Sequence, residues 1–363
     1  MTTQRSLGRK TVGSKVPVKL LEQLCNAVGV SGYEDEVRRI VIEQVKSYVD
    51  ECTVDALGNV LAMKHAKKKG SLRVMFAAHM DEVGFMLVQD DGEGLFAFEP
   101  VGGIDPRQLI AKPLLVGKDR VEGVIGGKPI HLTTPEERRN APQVSSLRID
   151  VSPGSAGKVK VGDYATFATR FYHAGDSLFG KALDDRLGVA TLLELARVNP
   201  GDLEVLFAFT VQEEIGLRGA RVAAFDFAPD MAFVIDSTPA FDLPLPDEDS
   251  ENVQYNCRLG AGPAIYLADA GTISDPRLIR FLVQLASENE IPYQFRQPGG
   301  GGTDAGAIHL TGAGVPSVSI SIPGRFAHSP VLHARVQDWQ NTLDLLQLIL
   351  LHADRSILVV DRS

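Results

Sequence analysis

The most informative residues of this chain are histidines and acids that stand where apolar runs end or where a helix is predicted to begin. They are His79 with Asp81, the pair Asp184-Asp185, the pair Glu213-Glu214, Asp236, and His328. In open α/β sheets, binding sites lie outside the carboxyl ends of the strands, so these side chains are expected at one edge of one sheet. Gathering carboxylates there costs free energy unless a cation offsets their charge. The pattern therefore predicts a metal site.

Each of these features, taken singly, has an ordinary explanation. An acid before a helix, such as Asp184 or Asp185, usually caps that helix. A lone histidine is usually hydrogen-bonded, and adjacent glutamates are usually solvated. Only the convergence of all five features at one sheet edge favours metal chemistry. Asp185 is interpreted as an acid at the start of a helix or as a supporting neighbour of the ligands.

The donor set consists of two imidazoles and at least three carboxylates, without a thiolate. Such donors suit Zn²⁺, Co²⁺ or Mn²⁺. One metal needs three protein ligands and a position for water, whereas five ligands with a shared carboxylate suit two metals about 3.5–4 Å apart. The residues leave both arrangements open, and both activate water for hydrolysis.

Sequence spacing distinguishes the roles of the acids. Residues i and i+2 of an extended chain point the same way, so Asp81 can lie beside His79 and accept its second ring N–H. Glu213 and Glu214 are adjacent and point differently. One of them can therefore bind metal while the other acts as a general base.

The segments that must position these residues have the pattern of an α/β domain. A helix, a turn at Ser31-Gly32 and a second helix from about Glu34 are predicted first, followed by strands at 52–55, 59–64 and 73–78. Later apolar strands, at 204–211, 231–235 and 317–322, alternate with amphipathic helices. Continuous apolar strands between helices imply a mostly parallel sheet covered by helices on both faces.

The middle of the chain has a different texture. Residues 86–174 contain short Val-, Leu- and Phe-rich runs separated by Gly, Pro and Asp, with no long amphipathic helix and a polar loop "TTPEERRNAPQVSS". This texture predicts a small β module inserted into the α/β domain, which then comprises residues 16–85 and 175–363. Residues 1–15 are predicted to be a disordered extension.

Composition excludes several classes of function. The formal net charge is −9 over 363 residues, which leaves no basic surplus for a nucleic-acid partner. The three cysteines, Cys25, Cys52 and Cys257, are scattered and indicate free thiols, most simply buried ones, in a reducing compartment. The first residues lack a secretory pattern and no run is long enough to span a membrane. A soluble, cytoplasmic protein is expected.

The Gly-rich stretch "PGGGGTDAG" at 298–306 invites comparison with a phosphate loop. It lacks the G-K-[ST] ending of such loops, so it is interpreted as a loop that needs positive φ or close backbone approach. Two roles are open for Asp304, which lies in this stretch: it holds the backbone of the loop, or it is a neighbour of the active site. The roles of Glu82 and His333 also stay open.

Taken together, the motifs resemble those of a known family, in order and in spacing. They are "GVSGYEDEVR", "DALGNV", "AAHMDEVGF", "GKALDDRLG", "TVQEEIGLRGAR", "VIDST", "IPYQ", "GGTDAG" and "GRFAHSP". The chain is similar to the M42 metallo-aminopeptidases, the tetrahedral (TET) aminopeptidases, some of which carry the labels glutamyl aminopeptidase or endoglucanase M. The resemblance covers nearly everything from about residue 17 to the C-terminus.

The resemblance implies roles for the individual residues, with two divalent metal ions, Zn or Co, in each subunit. The bridging ligand would be Asp184, with His79 and Asp236 completing the first metal site. Glu214 and His328 would complete the second. Glu213 would be the general base that activates the bridging water, and Asp81 would orient His79.

The resemblance also implies an architecture and an assembly. The inserted module would be a β-barrel-like dimerisation domain, and the subunits would form dimers and twelve-subunit tetrahedral shells. The chain departs from the family pattern in its extension, at Ser152, where Gly is frequent, and at Leu332, where an acid is frequent. None of these departures falls on a residue to which the resemblance assigns a metal.

The predicted function is hydrolysis of N-terminal residues from peptides by a two-metal aminopeptidase. A glycan hydrolase, which would need two carboxylates flanking a sugar and no metal, is the first alternative. A non-catalytic shell protein that keeps only the fold is the second.

Overall fold

The computed structural model describes residues 14–243, 256–297 and 300–359. Nearly all of the predicted disordered extension, residues 1–13, lies outside the described residues. The helices are α1 Val18–Asn26, α2 Asp35–Val45, α3 Pro135–Arg139, α4 Leu183–Leu195, α5 Arg218–Phe227, α6 Pro276–Glu288, α7 Ala305–Ile308 and α8 Val336–His352. The strands are β1 Glu51–Val54, β2 Val60–Lys64, β3 Arg73–His79, β4 Gly84–Gly92, β5 Leu95–Val101, β6 Pro113–Val116, β7 Val121–Gly126, β8 Arg148–Asp150, β9 Tyr164–Phe167, β10 Tyr172–Ala174, β11 Ser177–Gly180, β12 Glu204–Thr210, β13 Met231–Pro239, β14 Ala264–Tyr266, β15 Gln294–Arg296, β16 Ser317–Arg325 and β17 Leu332–Arg335.

Within the described ranges, eleven strands form one large sheet. Its order is β1-β2-β12-β3-β13-β16-β17-β11-β10, with β14 paired to β16 and β15. The four central strands, β12-β3-β13-β16, run parallel, and the flanking pairs are antiparallel except for β14 with β15. The predicted α/β class with a parallel sheet core is therefore confirmed.

The central strands are buried along nearly their whole length because helices cover both faces of the sheet. On one face, Phe76 of β3 stacks between Phe207 and Phe233, with ring centroids 6.0 and 5.5 Å away. The helices α1, α2, α4, α6 and α8 complete that core. On the other face, α5 and α7 pack on the alternate residues of the same strands, such as Met75 and Ala77.

The inserted module is a closed antiparallel barrel with the strand order β4-β5-β8-β7-β6-β9. Phe85, Phe98 and Phe167 form its centre, where Phe85 meets the other two rings edge to face at 5.2 and 5.3 Å. The barrel strands begin at Gly84 and end at Phe167, and β10 already pairs with β11 of the large sheet. The polar loop of the module contains one feature not predicted from sequence, the short helix α3, which begins with a capping box between Thr134 and Glu137.

Two further predictions concern cysteines and membranes. All three cysteines are free thiols, but only Cys25 and Cys257 are buried, while Cys52 is half-buried on the edge strand β1. None of the helices in the described ranges is long and apolar enough to cross a membrane.

Candidate active site

The parallel strands bring the predicted residues to one edge of the large sheet. His79 ends β3 and pairs in register with Thr210, the last residue of β12. Glu213-Glu214 follow β12 directly, and the register between β13 and β3 places Asp236 level with His79. Parallel strands have their carboxyl ends at the same edge, which is why residues far apart in sequence meet here.

The first group of predicted ligands surrounds His79. Its Nε2 lies 3.2 Å from Oδ1 of Asp184 and 3.7 Å from Oδ1 of Asp236. All three side chains are largely buried.

The second group lies on the other side of Asp184. Nε2 of His328 is 3.3 Å from Oε2 of Glu214 and 3.6 Å from Oδ2 of Asp184. Asp184 therefore turns one carboxylate oxygen toward each histidine, which is the position that a shared ligand requires.

Both imidazoles are held by their other ring nitrogen. Nδ1 of His79 lies 3.2 Å from the carbonyl oxygen of Asp81, and Nδ1 of His328 lies 2.8 Å from the carbonyl oxygen of Gly103. A proton on each Nδ1 leaves the Nε2 lone pair free to face the carboxylates, as in metal-ligating histidines. Gly103 follows β5, so the barrel region supplies one of these two acceptors.

The arrangement fits divalent cations. Ligands placed tetrahedrally about 2.0–2.1 Å from a zinc ion lie roughly 3.3 Å from one another. The four imidazole–carboxylate distances, from 3.2 to 3.7 Å, are close to that separation. The donor chemistry, nitrogen and oxygen without sulfur, suits Zn²⁺ or Co²⁺.

Asp185 is also near this cluster, because His79, Asp185 and Asp236 offer ligand atoms within 4.8 Å of one another. Its Oδ1 accepts the backbone N–H of Gly188 at 2.9 Å, as expected of an acid that starts a helix. Its Oδ2 has no hydrogen-bond partner among the described residues. Asp184 differs from Asp185 in that its two oxygens face both histidines, at 3.2 and 3.6 Å.

Without a cation, the crowded acids and imidazoles hold protons among themselves. Burial and the charge of Asp184 raise the pKa of Glu214 to about 8, and burial raises the pKa of Asp236 to about 6. Burial opposes ionisation of Asp184, but hydrogen bonding to His79 and the charges of both histidines lower its pKa to about 2. Burial also disfavours the charged form of His79, yet hydrogen bonds to the surrounding carboxylates raise its pKa well above the usual value. A divalent cation would replace these protons.

Glu213 belongs to neither group of ligands. It is buried, and burial raises the pKa of its carboxyl well above the usual range. The preceding residue, Gln212, has a φ of 56°, an uncommon left-handed conformation for a residue other than glycine. Ala182 and His328 share this conformation, so left-handed residues occur in three of the segments that carry the site.

Asp81 has a broader set of contacts than sequence spacing predicts. Nδ1 of His79 lies 3.5 Å from the carboxylate Oδ1 of Asp81, farther than the 3.2 Å that separates it from the backbone carbonyl oxygen of Asp81. The carboxylate accepts the backbone N–H groups of Glu213 at 3.0 Å and Glu214 at 3.2 Å, and the hydroxyl of Ser31 at 2.6 Å. Asp81 thus fixes the loop that carries both glutamates, a role that becomes visible only when the strands are side by side.

The three residues left open by the sequence have distinct surroundings. Glu82 is buried and ion-paired to Lys181 at 2.7 Å. Asp304 accepts a hydrogen bond from Thr210 at 2.5 Å, and burial raises its pKa to about 7. His333 stacks on Phe179, with ring centroids 4.4 Å apart.

A cavity of about 480 Å³ opens onto the cluster. Beside Glu213 and the predicted ligands, its lining comprises Leu217, Ser237, Pro239, Tyr266, Ala270, Gly271, Arg296, Ala327 and three residues of the Gly-rich stretch, Gly300, Gly301 and Gly302. Gly301 has a φ of 81°, as the interpretation of the Gly-rich stretch as a loop requires. The cavity is large enough to receive an amino-acid side chain next to the predicted metal ligands.

Imidazoles and carboxylates gathered at the carboxyl edge of an α/β sheet have the chemistry that metal-assisted hydrolysis needs. Comparison with known proteins identifies the particular family. The model of the peptidase family M42, described as M42 glutamyl aminopeptidase, matches residues 58–345. The chain belongs to the M42 family of aminopeptidases, and it is a peptidase.

Individual relatives agree with this membership. The lysyl aminopeptidase of Pyrococcus furiosus is 34% identical over 345 residues, which cover 92% of this chain and 96% of the relative. The structure of aminopeptidase APDkam598 from Desulfurococcus kamchatkensis has a TM-score of 0.88 at 35% identity, covering 95% of this chain and 98% of its own. The Pyrococcus horikoshii TET1 peptidase, which can assemble into a tetrahedron or a large octahedral shell, has a TM-score of 0.80 at 32% identity, covering 93% and 99%.

Proposed function

We propose that this chain is a two-metal aminopeptidase that removes N-terminal residues from peptides. His79 and Asp236 would hold the first divalent ion, Glu214 and His328 the second, and Asp184 both. The observation that carries the proposal is the position of Asp184, whose two oxygens face the two histidines at 3.2 and 3.6 Å. When bound, Zn²⁺ or Co²⁺ would supply Lewis acidity toward the scissile carbonyl and would lower the pKa of a water.

Glu213 is the proposed general base. It takes a proton from the attacking water and returns it to the leaving amine. Asp81 contributes by fixing the backbone of Glu213, so that the free carboxylate is turned to the cavity rather than to the ligands.

The Glu213→Gln variant tests this assignment. We expect turnover of aminoacyl-p-nitroanilides to fall by roughly 10²- to 10⁴-fold, the usual contribution of a general base, while the metal content stays unchanged. EDTA should abolish the activity of the wild type, and Zn²⁺ or Co²⁺ should restore it. Glu194→Gln, a change of the same kind at a buried position of α4, is the control. Full activity of Glu213→Gln would refute the assignment.

The two alternative functions are less well supported. A metal-independent glycan hydrolase gives no reason for two imidazoles directed at the carboxylates. A non-catalytic shell protein gives no reason for a buried glutamate, Glu213, that serves neither group of ligands. Metal-independent release of reducing sugar would favour the glycan hydrolase. A metal-loaded protein that is inert on a broad peptide panel would favour the non-catalytic shell protein.

We also propose that the chain self-associates into dimers and a tetrahedral dodecamer, with the barrel (84–167) as dimerisation domain. The support is the likeness to the Pyrococcus horikoshii TET1 peptidase over 93% of this chain. Light scattering should give the mass of two or of twelve copies of the 39.2 kDa chain. A monomer would contradict this part of the proposal.

A further inference from the structure

Residues 300–302 form one wall of the cavity beside the candidate metal ligands. A side chain at Gly300 or Gly302 would begin in open space, because no atom of the described residues lies within 4 Å of the place of its Cβ. Gly301 has a φ of 81°, a conformation that favours glycine. This wall therefore presents main chain rather than side chains to the cavity, and hydrogen bonds must fix its position.

Four hydrogen bonds tie residues 300–304 to the segments around them. Three of these bonds lead to residues on β15, on the loop after β14 and on β16, which are Arg296 at 2.9 Å, Ala270 at 3.0 Å and Ser319 at 2.7 Å. The fourth joins the carboxylate of Asp304 to the hydroxyl of Thr210 on β12. Within the described ranges, this fourth bond alone ties the wall to the strand that leads to Glu213.

The bond between Thr210 and Asp304 lies inside the protein. Thr210 is fully buried, and Asp304 is 1% exposed. The hydroxyl of Thr210 donates to Oδ2 of Asp304 at 2.5 Å, a length typical of a bond to an ionised carboxylate. Oδ1 of Asp304 has no hydrogen-bond partner among the described residues. Because burial of a carboxyl group without partners is costly, this short bond is the contact that holds Asp304 in place.

Thr210 stands at the junction of the two strands that carry a predicted ligand and the proposed base. It is the last residue of β12, three positions before Glu213, and it pairs in register with His79. Its carbonyl oxygen accepts the backbone N–H of Met80 at 2.7 Å. The main chain of Thr210 thus joins the ends of β3 and β12, while its side chain joins both of them to the cavity wall.

We propose that Thr210 and Asp304 are positioning residues for hydrolysis, because their bond fixes the wall at 300–302 relative to Glu213. The inference rests on the proposed aminopeptidase function. A peptide that lies against the wall takes its position from the wall, whereas Glu213 takes its position from β12. A shift between wall and strand would therefore move the scissile bond away from the base. A misplacement of about 1 Å can lower a rate by roughly 10²-fold.

The test replaces Thr210 by valine, which has nearly the same shape but no hydroxyl, and by serine, which keeps the hydroxyl. The substrate is the aminoacyl-p-nitroanilide that the wild type hydrolyses fastest. We expect Thr210→Val to lower kcat by about 10- to 100-fold, with KM within about threefold of wild type and the metal content unchanged. Thr210→Ser should keep kcat within about threefold of wild type. Rates are measured well below the unfolding temperature of each variant.

Thr191→Val is the matched control. Thr191 is also fully buried, and its hydroxyl donates to the carbonyl oxygen of Leu187 and accepts from the indole N–H of Trp339. Loss of this hydroxyl leaves a buried N–H unpaired, so it should lower the unfolding temperature. Because the contacts of Thr191 join α4 to α8 and not to the cavity wall, kcat should stay unchanged.

Asp304→Asn tests the other end of the bond. Its amide oxygen accepts from Thr210 more weakly than an ionised carboxylate does, so we expect kcat to fall by about tenfold. Asp304→Asn in the Thr210→Val background should lower kcat no further, because both changes act through one bond. This variant also decides the question if Thr210→Val does not fold, since wild-type kcat in Asp304→Asn would overturn the inference.

Three outcomes with Thr210 would also overturn the inference. The first is wild-type kcat in Thr210→Val, or a loss no larger than that in Thr191→Val, since the bond would then serve only the fold. The second is a rise in KM with kcat unchanged, which would make the wall a binding surface alone. The third is an equal loss in Thr210→Ser. Inertness of the metal-loaded wild type on every peptide would instead refute the proposed function, and the inference with it.

Discussion

Lys181→Met should destabilise the protein strongly, because it leaves a buried carboxylate without its principal cation. Nζ of Lys181 donates to both carboxylate oxygens of Glu82, at 2.7 and 2.8 Å, and to the carbonyl oxygen of Ala27 at 2.8 Å. Both charged side chains are 3% exposed. The pair joins the segment after β3 to the start of α4, two segments that carry metal ligands.

The loss of unfolding free energy depends on the contacts that the Glu82 carboxylate keeps in the variant. Its carboxylate would still accept the N–H of Gly29 at 2.9 Å and the hydroxyl of Thr166 at 3.0 Å, with Arg186 at 3.6 Å. Breaking a buried ion pair by removing one partner typically costs about 3–5 kcal/mol. Because Arg186 offsets part of the lost charge, we expect the lower end of that range, about 3 kcal/mol.

Urea unfolding of the metal-free protein measures this loss. The single tryptophan, Trp339, is fully buried in α8 and donates to the hydroxyl of Thr191 in α4, so its fluorescence reports on the core of the catalytic domain. Lys68→Met is the control, because Lys68 forms an ion pair of similar length, 2.6 Å, with Asp202 at the surface. Exposed pairs contribute little, so its unfolding midpoint should hardly move.

The double variant Glu82→Leu with Lys181→Met completes the design. Replacing both partners by apolar side chains removes the unpaired carboxylate but takes the acid away from the buried Arg186, 3.6 Å from Glu82, so only part of the lost stability should return. The reasoning would be refuted if Lys181→Met shifted the midpoint no more than Lys68→Met.

Two further expectations concern the metal ligands. Asp81→Asn should weaken metal binding by about 10- to 100-fold in a chelator competition, because an amide cannot accept from both glutamate N–H groups. The control is Asp338→Asn, which changes another buried acid that accepts two backbone N–H groups, those of Gly260 and Gly262, and should leave metal affinity unchanged. Equal losses of affinity in the two variants would contradict the role of Asp81. Metal binding at pH 7 should release protons, because the pKa of Glu214 is about 8 and that of His79 is raised, so both are protonated before metal binds. Apparent affinity should therefore rise with pH toward about 8, and a calorimetric enthalpy that did not depend on the buffer would argue against this.

Local sequence patterns were sufficient for the long elements. The apolar runs at β3, β12, β13 and β16 are buried on both faces, and such runs can only be central strands of a covered sheet. Short elements carried too little periodicity to be predicted. The strands β14 and β15 have three residues each, and α7 has four. Their positions depend on contacts with β16 and α5 rather than on their own sequences.

The sequence by itself determined which residues could do chemistry. Histidines and acids at the ends of apolar strands predicted one sheet edge, because parallel strands end together. The five predicted ligands do lie in one cluster there, with Asp184 between the two histidines.

Only the tertiary structure decided what surrounds that cluster. The carbonyl oxygen of Gly103 holds His328 across 225 positions of sequence, and Arg296 reaches the cavity from the three-residue strand β15. Neither contact has a local signal, since a backbone carbonyl is present at every residue and a lone arginine has no characteristic spacing. Packing alone brought them to the site, because barrel closure and sheet order fix which distant segments become neighbours.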